Sequence, residues 1–134
     1  MPDVNRGDRP LSPFMIGQYY KPQLTSISSI MVRITGIALL AFAILIVWWL
    51  LAAATSQGAF AFIDGILRSF IGDILMLGAI WALFYHTLGR LRHVIWDFGH
   101  GLEVETSELM AKGMFGLATI LTVLVAILGL GGVL

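Results

Sequence analysis

Cysteine is absent from this 134-residue chain. That excludes disulfides, thiolate zinc sites and iron–sulfur clusters held by cysteine. If the chain handles electrons, its iron–sulfur partners lie on other subunits. Charge is scarce as well. Only 12% of residues are charged and the formal net charge is zero, so nothing argues for nucleic acid. Proline is confined to positions 2, 10, 13 and 22. What abounds is apolar: 58% of the chain is hydrophobic, too much for an ordinary soluble domain of this size.

Three membrane spans can be read off. Residues 34–54 and 114–134 carry no charge. The middle run, 74–89, is shorter and reaches the ~20 residues of a span if Asp73 snorkels and the helix continues toward Val94. The expected layout is a single membrane-anchor domain over residues 1–134. It has a polar segment at 1–26 and transmembrane helices at about 27–54, 70–95 and 113–134. No signal-peptide pattern is visible in the first residues. Residues 59–67 suit a short interfacial helix, and Thr106 or Ser107 is placed to cap the third span.

Orientation follows from the basic residues. Arg6, Arg9, Lys21, Arg33, Arg90, Arg92 and Lys112 fall on one side and Arg68 alone on the other. By the positive-inside rule the N-terminus is inside and the C-terminus outside. The fold class expected is an all-α membrane protein with three transmembrane helices. Three helices do not easily surround a large cofactor, so the chain reads as part of a hetero-oligomeric helix bundle.

His86 lies inside the middle span. Ionisable residues there are costly and mark functional sites by default. His86, Arg90, His93 and Asp97 are spaced i, i+4, i+7, i+11, one helical stripe. Imidazole is a common haem-iron ligand; the plain alternative is a His bonded to a neighbouring helix. His93 is ~10 Å along the same helix and cannot reach the other face of the same iron. If His86 binds haem, the second axial ligand comes from another chain, and the cofactor bridges subunits.

Arg90, Arg92 and His93 read either as anchors at a positively charged helix end or as partners of haem propionates, which guanidinium pairs well. Asp97 is placed to orient His93 or pair an arginine; the plain alternative is a solvated carboxylate. Ser29 and Arg33, at i and i+4, suit hydrogen bonding to a quinone head group or, for Arg33, snorkelling. Trp48, Trp49 and Trp96 fit interface anchors, Trp81 and Phe84 fit packing, and Gly36, Gly78 and Gly89 permit close helix approach.

Three segments together resemble the cytochrome b556 subunit family of succinate dehydrogenase. They are Arg9-Pro10-Leu11-Ser12-Pro13, then Ser29-Ile30-Met31-Val32-Arg33-Ile34-Thr35-Gly36, then the tract from His86 through Gly99. The resemblance implies that His86 is an axial ligand of haem b, with the second ligand from a partner anchor subunit. It implies that Ser29 and Arg33 form part of a ubiquinone site, and that Arg92 and His93 lie near the haem propionates. The implied partners are a second small anchor, an iron–sulfur subunit, a flavoprotein subunit and membrane lipid. The implied location is the bacterial or mitochondrial inner membrane. Three positions depart from the family pattern. Val32 and Phe14 stand where His is usual, and Arg90 stands where Gly is usual, with Gly89 one place earlier.

The expected job is electron delivery from succinate, oxidised on another subunit, to ubiquinone. The alternatives are the anchor of a fumarate reductase, a non-redox scaffold or assembly subunit, and a homodimer holding haem between two His86 residues.

Overall fold

The computed structural model describes residues 20–130. The Arg9–Pro13 motif, Phe14 and residues 131–134 of the third span lie outside them.

Four helices follow in order: α1 (Leu24–Thr55), α2 (Gln57–Leu67), α3 (Phe70–Asp97) and α4 (Val104–Leu130). Among the described residues there is no strand. Helices α1, α3 and α4 are long and apolar enough to cross a membrane. At ~1.5 Å per residue each exceeds the ~30 Å hydrocarbon core, so their polar turns stand in the headgroup zone. This explains why α4 begins at Val104 and not at 113, and why α3 runs on to Asp97. Charges mark the edge of the membrane, not the end of the helix. Glu105 in the first turn of α4 also suits the positive end of the helix dipole. Ser107 is therefore buried within α4 rather than capping it.

The two turns flanking α3 have distinct causes. Ser56 and Ser69 cap α2 and α3, each side chain accepting a backbone N–H three residues on; this satisfies one of the orphan donors at each helix start. At the other end Gly99 takes φ +76°. There His100 N–H donates to Ile95 O at 3.2 Å and Gly99 N–H to Trp96 O at 2.8 Å. Those two bonds close α3 in a Schellman motif, which favours glycine at its left-handed residue.

Helix α3 is central and packs against both α1 and α4. Its buried residues Tyr85, Gly89 and Arg92 form one stripe. They pack on Ser28 and Val32 of α1 and on Ser107, Met114 and Ala118 of α4. Small residues let the backbones approach: a Cβ on Gly89 would run into the Val32 side chain. Aromatic contacts finish the core. Tyr85 lies 4.7 Å from Phe115 and stacks at 5.0 Å on Trp81, whose indole N–H donates to Thr119 Oγ1 at 3.1 Å. Most other large apolar side chains, from Ile34 and Ile37 to Ile120 and Ile127, face outward, as a chain surrounded by lipid or partner helices requires.

Candidate functional site

The chemistry gathers at the end of the bundle that carries the α3–α4 turn. This basic end holds the start of α1, the end of α3 and the start of α4.

His86 is half-buried on the α1 side of α3. Its Nδ1 lies 3.0 Å from the Val32 carbonyl oxygen. A carbonyl only accepts, so Nδ1 carries the proton. That leaves Nε2 with its lone pair, and Nε2 makes no hydrogen bond among the described residues. A ring nitrogen pinned by a backbone carbonyl, with the other free, is the state in which imidazole ligates a metal. Thr35 Oγ1, at 3.5 Å from Nδ1, is bonded mainly to its own helix, at Met31 O and Val32 O. The ring lies close against α1 at Gly36. A Cβ there would come 3.0 Å from His86 Cε1, so glycine makes the room the ring occupies. Among the described residues no three His, Asp or Glu side chains cluster as a metal site. His93 shares this state nearer the helix end, so His86 is set apart by its place within the apolar span, where a lone imidazole suits a haem iron.

The remaining stripe residues follow His86 toward the basic end. Arg90 is exposed and makes no side-chain hydrogen bond among the described residues. His93 is half-buried, its Nδ1 2.7 Å from the Gly89 carbonyl and its ring 5.2 Å edge-on from Trp96. Its orientation is set by that carbonyl. Asp97 is exposed and has no side-chain bond or ion pair among the described residues. His100 is exposed in the turn.

Arg92 goes elsewhere. It is 3% exposed and turned into the three-helix core. Its Nη1 donates to Ser28 Oγ at 2.6 Å and its Nη2 to Ser107 Oγ at 2.8 Å. Its guanidinium lies 4.1 Å over the Trp96 ring, and that indole is tied to Gly101 O at 3.0 Å. The family resemblance puts Arg92 with His93 near the propionates; its phase on α3 instead matches buried Tyr85 and Gly89.

Ser29 and Arg33 lie together on an open cleft of about 450 Å³, with Tyr20, Thr25, Ser26 and Ile30. Tyr20 Oη and Ser26 Oγ are 2.9 Å apart. Arg33 is exposed and Ser29 half-buried, and neither side chain makes a hydrogen bond among the described residues. The cleft thus offers a cation and several hydroxyls beside an apolar side chain.

Four contributors escaped the sequence reading: the Val32 carbonyl, Ser28, Ser107 and Tyr85. The backbone carbonyl leaves no mark in a sequence. Ser28 and Tyr85 carry a usable signal, since each falls on the i, i+4, i+7 core stripe of its helix (28, 32, 35 and 85, 89, 92).

A sequence model described as the succinate dehydrogenase/fumarate reductase transmembrane subunit matches residues 5–125. The chain belongs to that family. It is 50% identical over 127 residues to a succinate dehydrogenase cytochrome b556 subunit of Paracoccus denitrificans, covering 95% of this chain and 96% of that one. It is 34% identical to a cytochrome b560 subunit of Reclinomonas americana, over 87% of this chain and 83% of the relative. A cytochrome b556 subunit of Rickettsia conorii is 31% identical, over 87% and 89% respectively. Family and fold agree on a multi-pass membrane anchor of the inner membrane, a cytochrome b-type subunit belonging to a larger enzyme complex.

Proposed function

We propose that this chain is the membrane-anchor cytochrome b subunit of a succinate:ubiquinone oxidoreductase. It binds haem b jointly with a second small anchor subunit and contributes the Ser29–Arg33 wall of the ubiquinone-reduction site. The observation that carries this is His86, with Nδ1 bonded to the Val32 carbonyl and Nε2 open. The iron–sulfur and flavoprotein subunits complete the assembly, and succinate is oxidised on the latter.

When bound, the haem supplies a one-electron redox centre. The chain's own part is to bind and orient. His86 would hold the iron through Nε2. The Val32 carbonyl fixes the ring's tautomer and raises its basicity. Gly36 lets the ring lie against α1. Arg90, exposed one turn from His86, and His93, next along the stripe, stand where propionate carboxylates would need cations or donors; Arg92 acts from behind them, inside the core. Asp97 balances charge at the rim.

In the cleft, the Arg33 guanidinium donates to a quinone oxygen and offsets negative charge as that oxygen is reduced. The Ser29 hydroxyl donates to the ring carbonyl. This reading places the basic end on the inner side of the membrane, the side the positive-inside rule assigns to Arg33, Arg90, Arg92 and Lys112.

The test is a reduced-minus-oxidised spectrum of membranes. In His86→Ala the b-type bands should vanish or become high-spin, while His100→Ala keeps them. An unchanged low-spin spectrum in His86→Ala would leave a scaffold subunit as the better reading.

A further inference from the structure

Arg92 is a cation buried in a membrane bundle with no carboxylate beside it among the described residues, which is a costly placement. Its bonds give the reason for attention. One arm, Nη1, reaches α1 at Ser28 Oγ, 2.6 Å away. Ser28 Oγ in turn donates to the Thr25 carbonyl at 2.9 Å, and the Ser28 carbonyl accepts from the Tyr85 hydroxyl at 3.2 Å. Thr25 and Ser29, on either side of Ser28 in sequence, both line the cleft that contains Arg33. The other arm, Nη2, reaches α4 at Ser107 Oγ, 2.8 Å away, and Ser107 does not line the cleft. Nη1 also lies 4.0 Å from Met114 Sδ of α4, so of the contacts made by the two arms only the Ser28 bond leads toward the cleft.

We propose that Arg92 is a positioning residue for the quinone cleft: through Ser28 it sets the rotation and height of the α1 segment that carries Thr25, Ser29 and Arg33. The guanidinium is suited to this. Its planar fork fixes direction as well as distance, and the Trp96 ring beneath it, itself tied to the turn at Gly101, holds that plane. Tyr85 adds a second bond to the same residue of α1 from the turn of α3 that also carries His86. The haem-ligand helix and the quinone-cleft helix are thereby locked in register at Ser28. A bend or rotation of α1 there turns Ser29 and Arg33 away from the position where a quinone carbonyl meets both.

The inference rests on the quinone reading of the Ser29–Arg33 cleft. The test uses the intact complex purified from membranes, with Ser28→Ala, Ser107→Ala, Arg92→Lys and Arg33→Ala compared. For each, the quinone KM and kcat, dye-linked succinate oxidation and thermal stability are measured per assembled complex. Ser28→Ala should raise the quinone KM about three- to tenfold, less than the full loss of a charge-assisted bond because the bond reaches the cleft only through α1, with dye-linked oxidation unchanged. Ser107→Ala should lower thermal stability comparably and leave the KM within about twofold of wild type. Arg92→Lys should raise the KM like Ser28→Ala, and the double variant Ser28→Ala with Arg92→Lys should be no worse than the worse single one, because both cut the same link. Equal loss of stability in the two serine variants with a wild-type KM in both would reduce Arg92 to a fastener and overturn the proposal. So would an equal rise in KM in both. If Arg33→Ala itself leaves quinone turnover and KM untouched, the cleft reading fails. If Arg33→Ala impairs them and Ser28→Ala does not, only the positioning role fails.

Discussion

Two neighbouring stripes on the same helices do opposite things. On α3, Tyr85, Gly89 and Arg92 are buried, whereas His86, Arg90 and His93, one residue further along, are half-buried or exposed. On α1, Ser28, Val32 and Thr35 are buried, whereas Ser29 and Arg33 open onto the cleft. One residue is a rotation of ~100° about a helix, which is enough to separate a core face from a partner face. Both stripes hold polar groups, and the difference lies in how these are satisfied. Ser28, Thr35 and both Nη atoms of Arg92 find partners within the chain. Among the described residues Arg33, Arg90 and the Nε2 atoms of His86 and His93 find none. The inward stripe closes this chain, and the outward one stays open, as the proposed cofactor and quinone sites require.

The largest effect expected from attacking the inward stripe comes at Gly89. Gly89→Leu drives a side chain into Val32 and separates α1 from α3, an overpacking cost of about 1–3 kcal/mol or more. The yield of assembled complex should fall severalfold to a hundredfold on immunoblots of membranes. Wild-type yield would mean that α1 and α3 do not meet there.

On the outward stripe, Arg33→Ala should depress succinate–quinone reductase activity about tenfold to a hundredfold, the loss of one charge-assisted hydrogen bond. Dye-linked succinate oxidation should persist in the same preparation. Arg33→Lys should recover only part, because ammonium lacks the planar fork. If Lys serves as well as Arg and activity merely follows assembly, Arg33 is a headgroup anchor. Ser29→Ala, which removes a neutral donor, should cost less, roughly 0.5–1.5 kcal/mol.

Gly36→Ala sharpens the comparison more finely. Its methyl would lie 3.0 Å from His86 Cε1, so the ring must shift by a few tenths of an ångström. The complex should assemble with a displaced haem band or potential; an unmoved spectrum places the haem ligand elsewhere. His93→Ala should be milder still, a small shift in potential with the low-spin bands retained. Loss of the bands in His93→Ala would make His93, not His86, the ligand.

Much of the fold was legible in the sequence because the membrane imposes simple rules: long uncharged runs become helices and basic residues cluster at one end. The end of α3, expected near 95, falls at Asp97 just before the left-handed Gly99. The start of α4 was not legible, because Glu105, Glu108 and Lys112 read as loop although helix continues past the membrane edge. Residue type and spacing single out His86, Ser29 and Arg33, and the structure adds an open Nε2 on the first and a shared cleft for the other two; their roles rest on the proposed function. The role of Arg92 was not read, because its charge groups it with Arg90 and His93 while its i, i+4, i+7 phase follows Tyr85 and Gly89 into the core. Nor was the group that orients His86, because at position 32, where the resemblance led one to expect a functional imidazole, the valine packs in the core and contributes its backbone carbonyl instead.

Tyr85 and His86 are adjacent in sequence and belong to different stripes, so together they test the division most directly. The measurement is the low-spin haem b signal per assembled complex, with flavin content as the reference, in Tyr85→Phe and His86→Ala. Tyr85→Phe removes the buried bond to Ser28 O and should lower stability by about 1 kcal/mol while every surviving complex keeps its signal. His86→Ala should give flavin-containing complexes without low-spin haem. A full low-spin signal per flavin in the His86→Ala complex would contradict the assignment of the outward stripe to the cofactor.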